Sequence, residues 1–180
     1  HVPSRFLHPI LASHNKTIFE VSLYGSRADG AEPPANLIAA ADHWIDVGDK
    51  SAAEIAALMR ADQIDIFAHP CTFKSRYREI LAHRAAPVQI ACTNLVSTSG
   101  LTATDYLITD DFISPPGAGD DFFTEQLIRL SSFNTYQQLE EVGAVTPLPA
   151  ESNGYITFGS CNNIAKLSPD VIKVWAKILS

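Results

Sequence analysis

Sulfur is scarce in this 180-residue sequence, which has three cysteines (Cys71, Cys92 and Cys161) and one methionine. The cysteines are odd in number and widely spaced, with no C-x-x-C pair. That pattern argues against a disulfide framework or a zinc pair and indicates free thiols in a reducing compartment, the cytoplasm. Positive charge is also short: 13 Lys and Arg stand against 20 Asp and Glu, a net charge of −7. This balance argues against wrapping a nucleic acid through its phosphates. No apolar run approaches the ~20 residues of a membrane span, and no charged-then-apolar secretory segment opens the chain. Neither G-x-G-x-x-G nor G-x-x-x-x-G-K-[ST] occurs, so a dinucleotide fingerprint and a P-loop are both missing. None of the six histidines forms a helical pair with a nearby carboxylate, which leaves no zinc motif.

What is present is a folding chain. Apolar residues make up 46% and charged residues 18%, a balance disordered segments do not have. The length is one domain, or one and a fraction. Phe6, Leu7, Ile10 and Leu11 share a helical face over residues 3–13. β-Favouring residues then mark strands at 17–24, 44–47, 64–68, 87–92, 106–109 and 127–130. Helical patterns lie between them at 35–41, 51–61 and 77–83, and 25–34 reads as a loop. Ser51-Ala52-Ala53-Glu54 fits a capping box. Short apolar strands alternating with helices predict an α/β fold with a mostly parallel sheet and helices on both faces. From Ser131 to Asn153 the periodicity fades, apart from a helical turn at Gln137–Glu141. A further strand is expected at Tyr155–Gly159. A helix opened by Ser168-Pro169-Asp170 follows, with Val171, Trp175, Ile178 and Leu179 on its buried side.

Several residues could carry chemistry. His69 falls just past a predicted strand end, the edge where open α/β sheets place ligands, and reads either as a site residue or as a loop histidine. Cys71 reads as a buried or loop thiol more simply than as a nucleophile, because no partner base is placed for it. Ser97-Thr98-Ser99-Gly100 is a hydroxyl-rich turn of the kind that suits sugar or phosphate at a strand's C-terminal edge. In Gly159-Ser160-Cys161-Asn162-Asn163-Ile164-Ala165-Lys166, two amides and a point cation precede a helix start. That arrangement fits an anionic group as well as it fits an ordinary turn with a solvated lysine.

Taken together, several runs resemble the catalytic region of the O-linked N-acetylglucosaminyltransferases and their bacterial relatives. They are Arg84–Gln89, Ser97–Leu101, Asp105–Asp110, Ser114–Gly117 and Tyr155–Pro169, in order and spacing, with His1–Phe6 and Ala41–Trp44 also fitting. The resemblance implies two Rossmann-like lobes with a UDP-sugar between them. It also implies inverting, metal-independent transfer of N-acetylglucosamine or a related hexose to protein Ser or Thr hydroxyls, though some relatives glucosylate Asn. Many relatives carry tetratricopeptide repeats upstream. No cofactor is implied beyond the donor, UDP-N-acetylglucosamine or another UDP-sugar; the other partner is an acceptor protein or peptide.

By the same resemblance, Lys166 matches the lysine that holds the donor diphosphate, and Asn163 lines that pocket. His1 matches the active-site histidine, and Thr98 matches the glycine-rich donor loop. The family's Leu-Gly-Tyr-Pro-Gly ahead of that Thr is Thr93-Asn94-Leu95-Val96-Ser97 here, with two glycines and the proline replaced. The Gly-His-Thr turn is Pro70-Cys71-Thr72. These departures motivate an alternative, a degenerate lobe kept for protein or sugar binding. An unrelated flavodoxin-like domain is a further alternative; it would need the 155–159 strand in the sheet of 64–68. The organisation expected is residues 1–138 as a first lobe lacking its first strand, 139–153 as a linker, and 154–180 as the first strand and helix of a second lobe. His1 in place of Met and the stop after an apolar helix read as cut points, and the piece alone is expected to be inactive.

Overall fold

A computed structural model describes residues 2–26, 34–70, 75–92, 97–132 and 143–179. The chain separates into two compact units, His1–Gln138 and Leu139–Ser180.

The first unit is α/β with parallel sheets. Its elements run α1 (Val2–Ser13), β1 (Ser22–Gly25), α2 (Ala35–Ala40), β2 (His43–Asp46), α3 (Ala52–Ala61), β3 (Ile66–Pro70), α4 (Ser75–Ala82), β4 (Val88–Cys92), β5 (Tyr106–Asp110) and β6 (Gln126–Leu130). β1 and β2 form one parallel pair, and β3-β4-β5-β6 form a parallel sheet in sequence order. The expected strand at 17–24 is shorter than its pattern. Ile18 and Phe19 return their amides to the Asn15 carbonyl in a turn, and pairing begins only at Ser22, opposite His43.

Local chemistry sets several element ends. The capping box that opens α3 is complete: the Ser51 hydroxyl accepts from the Glu54 amide at 3.3 Å, and the Glu54 carboxylate accepts the Ser51 amide at 2.8 Å. Hydrogen bonds from the Ser51 hydroxyl and amide hold the Glu54 carboxyl below the usual range. Val47, Ala52, Ile55, Ala56, Met59, Ile80 and Ala85 are buried as one core. Tyr24, Ile45 and Phe67 pack on it, so α3 and α4 join the two sheets. Ala91 and Leu107 form a smaller core with Phe123 and Leu127. The crossover from β5 to β6 and the described part of that from β4 to β5 run as loops, with a 3-10 turn at Asp120–Phe122.

The second unit contains α5 (Pro149–Asn153), a 3-10 turn at Ile164–Lys166 and α6 (Pro169–Leu179). α5 was not signalled in the sequence; Pro149 starts it and Gly154, at φ 74°, ends it. Two expectations are corrected. Tyr155–Gly159 forms no strand, because among the described residues this unit has no second strand to complete a ladder. Val171, Trp175, Ile178 and Leu179 are not buried: Trp175 is 39% exposed and Ile178 61%. The caps form nonetheless, with Ser168 Oγ accepting the Val171 amide at 3.3 Å. The expected helical turn at Gln137–Glu141 lies outside the described residues.

Candidate functional site

The expected site residues fall in three places. Lys166 and Asn163 lie in the second unit, and Thr98 lies in the first. His1, Cys71 and residues 93–96 of the altered loop lie outside the described residues.

In the run from Gly159 to Lys166, Asn163 caps the 3-10 turn: its Oδ1 accepts the Ala165 amide at 3.0 Å, and its carbonyl accepts the Lys166 amide at 2.9 Å. The Asn162 amide reaches Ser160 Oγ at 3.4 Å. Lys166 closes this turn two residues before Ser168, the cap of α6. Its side chain is exposed, and no carboxylate pairs with it among the described residues. The local result is a fixed backbone carrying an uncommitted cation near a helix start, an arrangement suited to an anion. Asp170, Val171, Val174 and Trp175 of α6 line an open groove.

The hydroxyl-rich turn of the first unit lies elsewhere than its sequence position suggested. Thr98 Oγ1 donates to Glu125 Oε2 at 2.7 Å and accepts the Gly100 amide at 2.9 Å. The Ser99 amide donates to Glu125 Oε1 at 2.8 Å, and the Ser99 hydroxyl donates to the same oxygen. Ser99 Oγ is 3.3 Å from Thr104 Oγ1. Glu125 directly precedes β6, and Thr104 lies two residues before β5. Residues 98–100 are therefore anchored where these strands begin, not at the C-terminal edge that was expected. The physical cause is Glu125, a carboxylate only 5% exposed that must gather donors. Burial pushes its pKa up, but the hydrogen bonds from Ser99 and Thr98 outweigh this and hold it below the usual range. Sequence reasoning missed Glu125. The available signal was an acid directly before the apolar strand Leu127-Ile128, which needs donors wherever it lands.

His69 is also corrected. β3 continues through Pro70, pairing His69 with Ala91, so the imidazole is inside the sheet at 2% exposure and 5.8 Å from the Phe67 ring. Its carbonyl accepts the buried Cys92 thiol at 3.4 Å. Gln89 is fully buried beneath this level. It bonds the Ala85 amide (2.9 Å) and the carbonyls of Leu81 (3.0 Å) and Ala103 (2.6 Å), tying the end of α4 to the segment before β5. Arg84 adds bonds to the Ala103 carbonyl and to Asp105, each at 2.9 Å. No helix among the described residues is long and apolar enough to cross a membrane.

Parallel strands in sequence order, covered by helices, define a Rossmann-like α/β protein. Residues 1–136 match the glycosyl transferase family 41, and the chain belongs to that family. It is similar to a tomato (Solanum lycopersicum) protein named as a probable UDP-N-acetylglucosamine–peptide N-acetylglucosaminyltransferase, SPINDLY. They are 37% identical over all of this chain and 20% of the relative. The Arabidopsis thaliana protein of the same enzyme name, SEC, is 28% identical over 99% of this chain and 19% of its own length. Among solved structures, a lysine-to-methionine variant of the Thermobaculum terrenum O-GlcNAc transferase superposes with a TM-score of 0.84 at 33% identity. That match covers 99% of this chain and 34% of the other. The chain thus spans about a fifth of these curated relatives and a third of the solved chain.

Proposed function

We propose that this chain is part of a cytoplasmic, inverting protein glycosyltransferase. In this reading the intact protein, carrying tetratricopeptide repeats upstream, transfers N-acetylglucosamine or a related hexose from a UDP-sugar to Ser or Thr hydroxyls without a required metal. The observation that carries the reading is the Asn163–Lys166 turn. It presents a cation with no carboxylate partner among the described residues, on a capped backbone, in a chain of glycosyl transferase family 41. Lys166 would stabilise the charge that develops on the departing diphosphate, where a fixed cation acts more strongly than water does. Asn163 would hold the turn that aims it. His1 would stand near the sugar. The Thr98 hydroxyl already donates its hydrogen bond to Glu125, so its contribution would be to anchor the end of the donor loop. The first unit would be the first catalytic lobe, and residues 154–180 the start of the second.

The test is Lys166→Ala in the intact protein. Transfer from UDP-N-acetylglucosamine should fall about 10²-fold or more, the scale of losing a transition-state charge stabiliser, and the isolated 180-residue piece should be inactive. Near-normal turnover by the variant would remove Lys166 from the mechanism.

One observation favours a second reading, a degenerate lobe that binds protein or sugar: Thr93–Ser97 stands where the family has two glycines and a proline, and substituted positions do not admit close backbone approach as glycine does. Transfer or hydrolysis of a UDP-sugar by the intact protein separates the two readings.

A further inference from the structure

The loop from β5 to β6 contains no α-helix, yet it is pinned along its length. Asp110 Oδ1 accepts the amides of Phe112 and Ile113 at 3.1 and 2.8 Å. The buried hydroxyls of Thr109 and Ser114 meet at 3.0 Å. Arg129, on β6, donates from Nε to the Ser114 carbonyl at 2.8 Å and from Nη2 to Asp120 at 2.6 Å, while Asp111 lies 3.8 Å from Nε. One guanidinium therefore gathers both ends of the loop. Gly119 takes φ 109°, and a Cβ there would come within 2.9 Å of the Phe122 ring, so glycine is what lets that ring fold over the turn.

On this fixed frame two aromatic rings stand in water: Phe112 is 93% exposed and Phe122 83%. The Phe112 and Ile113 amides, held by Asp110, fix the backbone that carries the first ring. Aromatic side chains on a backbone fixed before contact lose little backbone entropy on binding, and such residues concentrate affinity at protein interfaces. The surroundings select the charge of the partner. Asp111 and Asp121 adjoin the rings in sequence, and the Arg129 guanidinium is shared between Asp120 at 2.6 Å and Asp111 at 3.8 Å, which leaves the three carboxylates of this loop in excess over that cation. A Lys or Arg side chain can lay its stem or guanidinium over a phenyl face while its head meets a carboxylate.

We propose that this loop is a docking surface for a basic peptide segment bearing apolar side chains, carried by an acceptor protein. Only the word acceptor rests on the glycosyltransferase reading above. The rings supply the contact area, and the aspartates set the orientation and reject acidic segments.

The experiment uses the intact protein and a fluorescein-labelled peptide of alternating Lys and Leu, with Glu/Leu and Lys/Gly peptides as controls. Fluorescence anisotropy is read at low and high salt. The Lys/Leu peptide should bind best. Phe112→Ser with Phe122→Ser should weaken it about tenfold or more. Asp111→Asn with Asp121→Asn should weaken it about threefold and remove most of the salt dependence. Turnover on a short uncharged Ser peptide should not change in either variant. The proposal is overturned by undetectable binding of the Lys/Leu peptide, by equal binding of the Glu/Leu peptide, or by unchanged binding in the phenylalanine variant. Oxidative footprinting that finds both rings protected without peptide overturns it too, because a second copy or another segment then covers the loop. Anisotropy needs no sugar donor. Absent UDP-sugar turnover would therefore defeat the catalytic reading and leave the docking result standing, whereas normal turnover with variant-insensitive binding defeats the docking surface alone.

Discussion

Removing the Glu125 carboxylate should destabilise the first unit by more than any surface change. Its oxygens accept the Ser99 amide and hydroxyl and the Thr98 hydroxyl. Ser99 is itself 7% exposed, so Glu125→Ala leaves its amide buried with no acceptor, while its hydroxyl falls back on Thr104 Oγ1 at 3.3 Å and water can reach the half-buried Thr98. At about 1–3 kcal/mol for the buried donor left unmade and about 1 kcal/mol for the weaker bond of the hydroxyl, the loss is about 2–4 kcal/mol. Glu125→Gln keeps the shape and one acceptor oxygen but turns an amino group toward a donor, for about 1.5–3 kcal/mol, the worth of one charge-assisted bond. The assay is urea unfolding of the purified chain followed by circular dichroism. With a slope of about 2 kcal/mol per molar, the midpoints should fall by about 1–2 M for alanine and about 1 M for glutamine. Acid supplies a second reading. The folded carboxyl has its pKa lowered, so its contribution is complete above the unfolded value near ~4.3 and is lost as pH falls through the lower folded value. The gap between wild type and Glu125→Gln should be flat from neutrality to about pH 5 and close below that. A glutamine variant as stable as wild type, or a gap that widens in acid, would refute the argument.

Three further outcomes follow from the same structure. Gly25→Ala places a Cβ 2.1 Å from the Trp44 ring; overpacking of this kind costs about 1–3 kcal/mol, and the near-ultraviolet circular dichroism of Trp44 should change. Gln89→Leu strands the buried Ala85 amide and takes one donor each from the Leu81 and Ala103 carbonyls, which keep their bonds from the Arg84 amide and guanidinium, and should cost about 1–3 kcal/mol in the same urea assay. Ser51→Ala breaks the cap of α3, costing about 1 kcal/mol and lowering Tm by about 2–4 °C.

The parts of the fold legible in the sequence are those set within a few residues. The capping box at Ser51 and Glu54 is complete in its four-residue span. β4, β5 and β6 occupy the apolar runs that predicted them, to within one residue at each end. Residues 98–100 show the limit. Their composition suits a ligand edge, but their position is set by Glu125, more than twenty residues later. His69 shows it again: whether β3 stops at Ala68 or runs on to Pro70 is decided by its register against β4, which the strand's own residues do not contain.

The second unit separates local from paired chemistry most clearly. Tyr155, Ile156 and Phe158 have the residue types of a strand, yet they are 66%, 70% and 67% exposed. A strand is a property of two segments, and the described residues of this unit supply one. α6 forms because its requirements are internal: Ser168 caps it, Pro169 presets its first turn, and Asp170 sits against the positive end of its dipole. Its apolar side is present without being buried, since burial needs a neighbour that periodicity does not name. The Asn163–Lys166 turn belongs with α6 in this respect. Its cap and its 3-10 bonds close within four residues, so the placement of Lys166 on that backbone does not depend on a paired segment. For that reason the functional proposal rests on this turn and not on the expected strand before it.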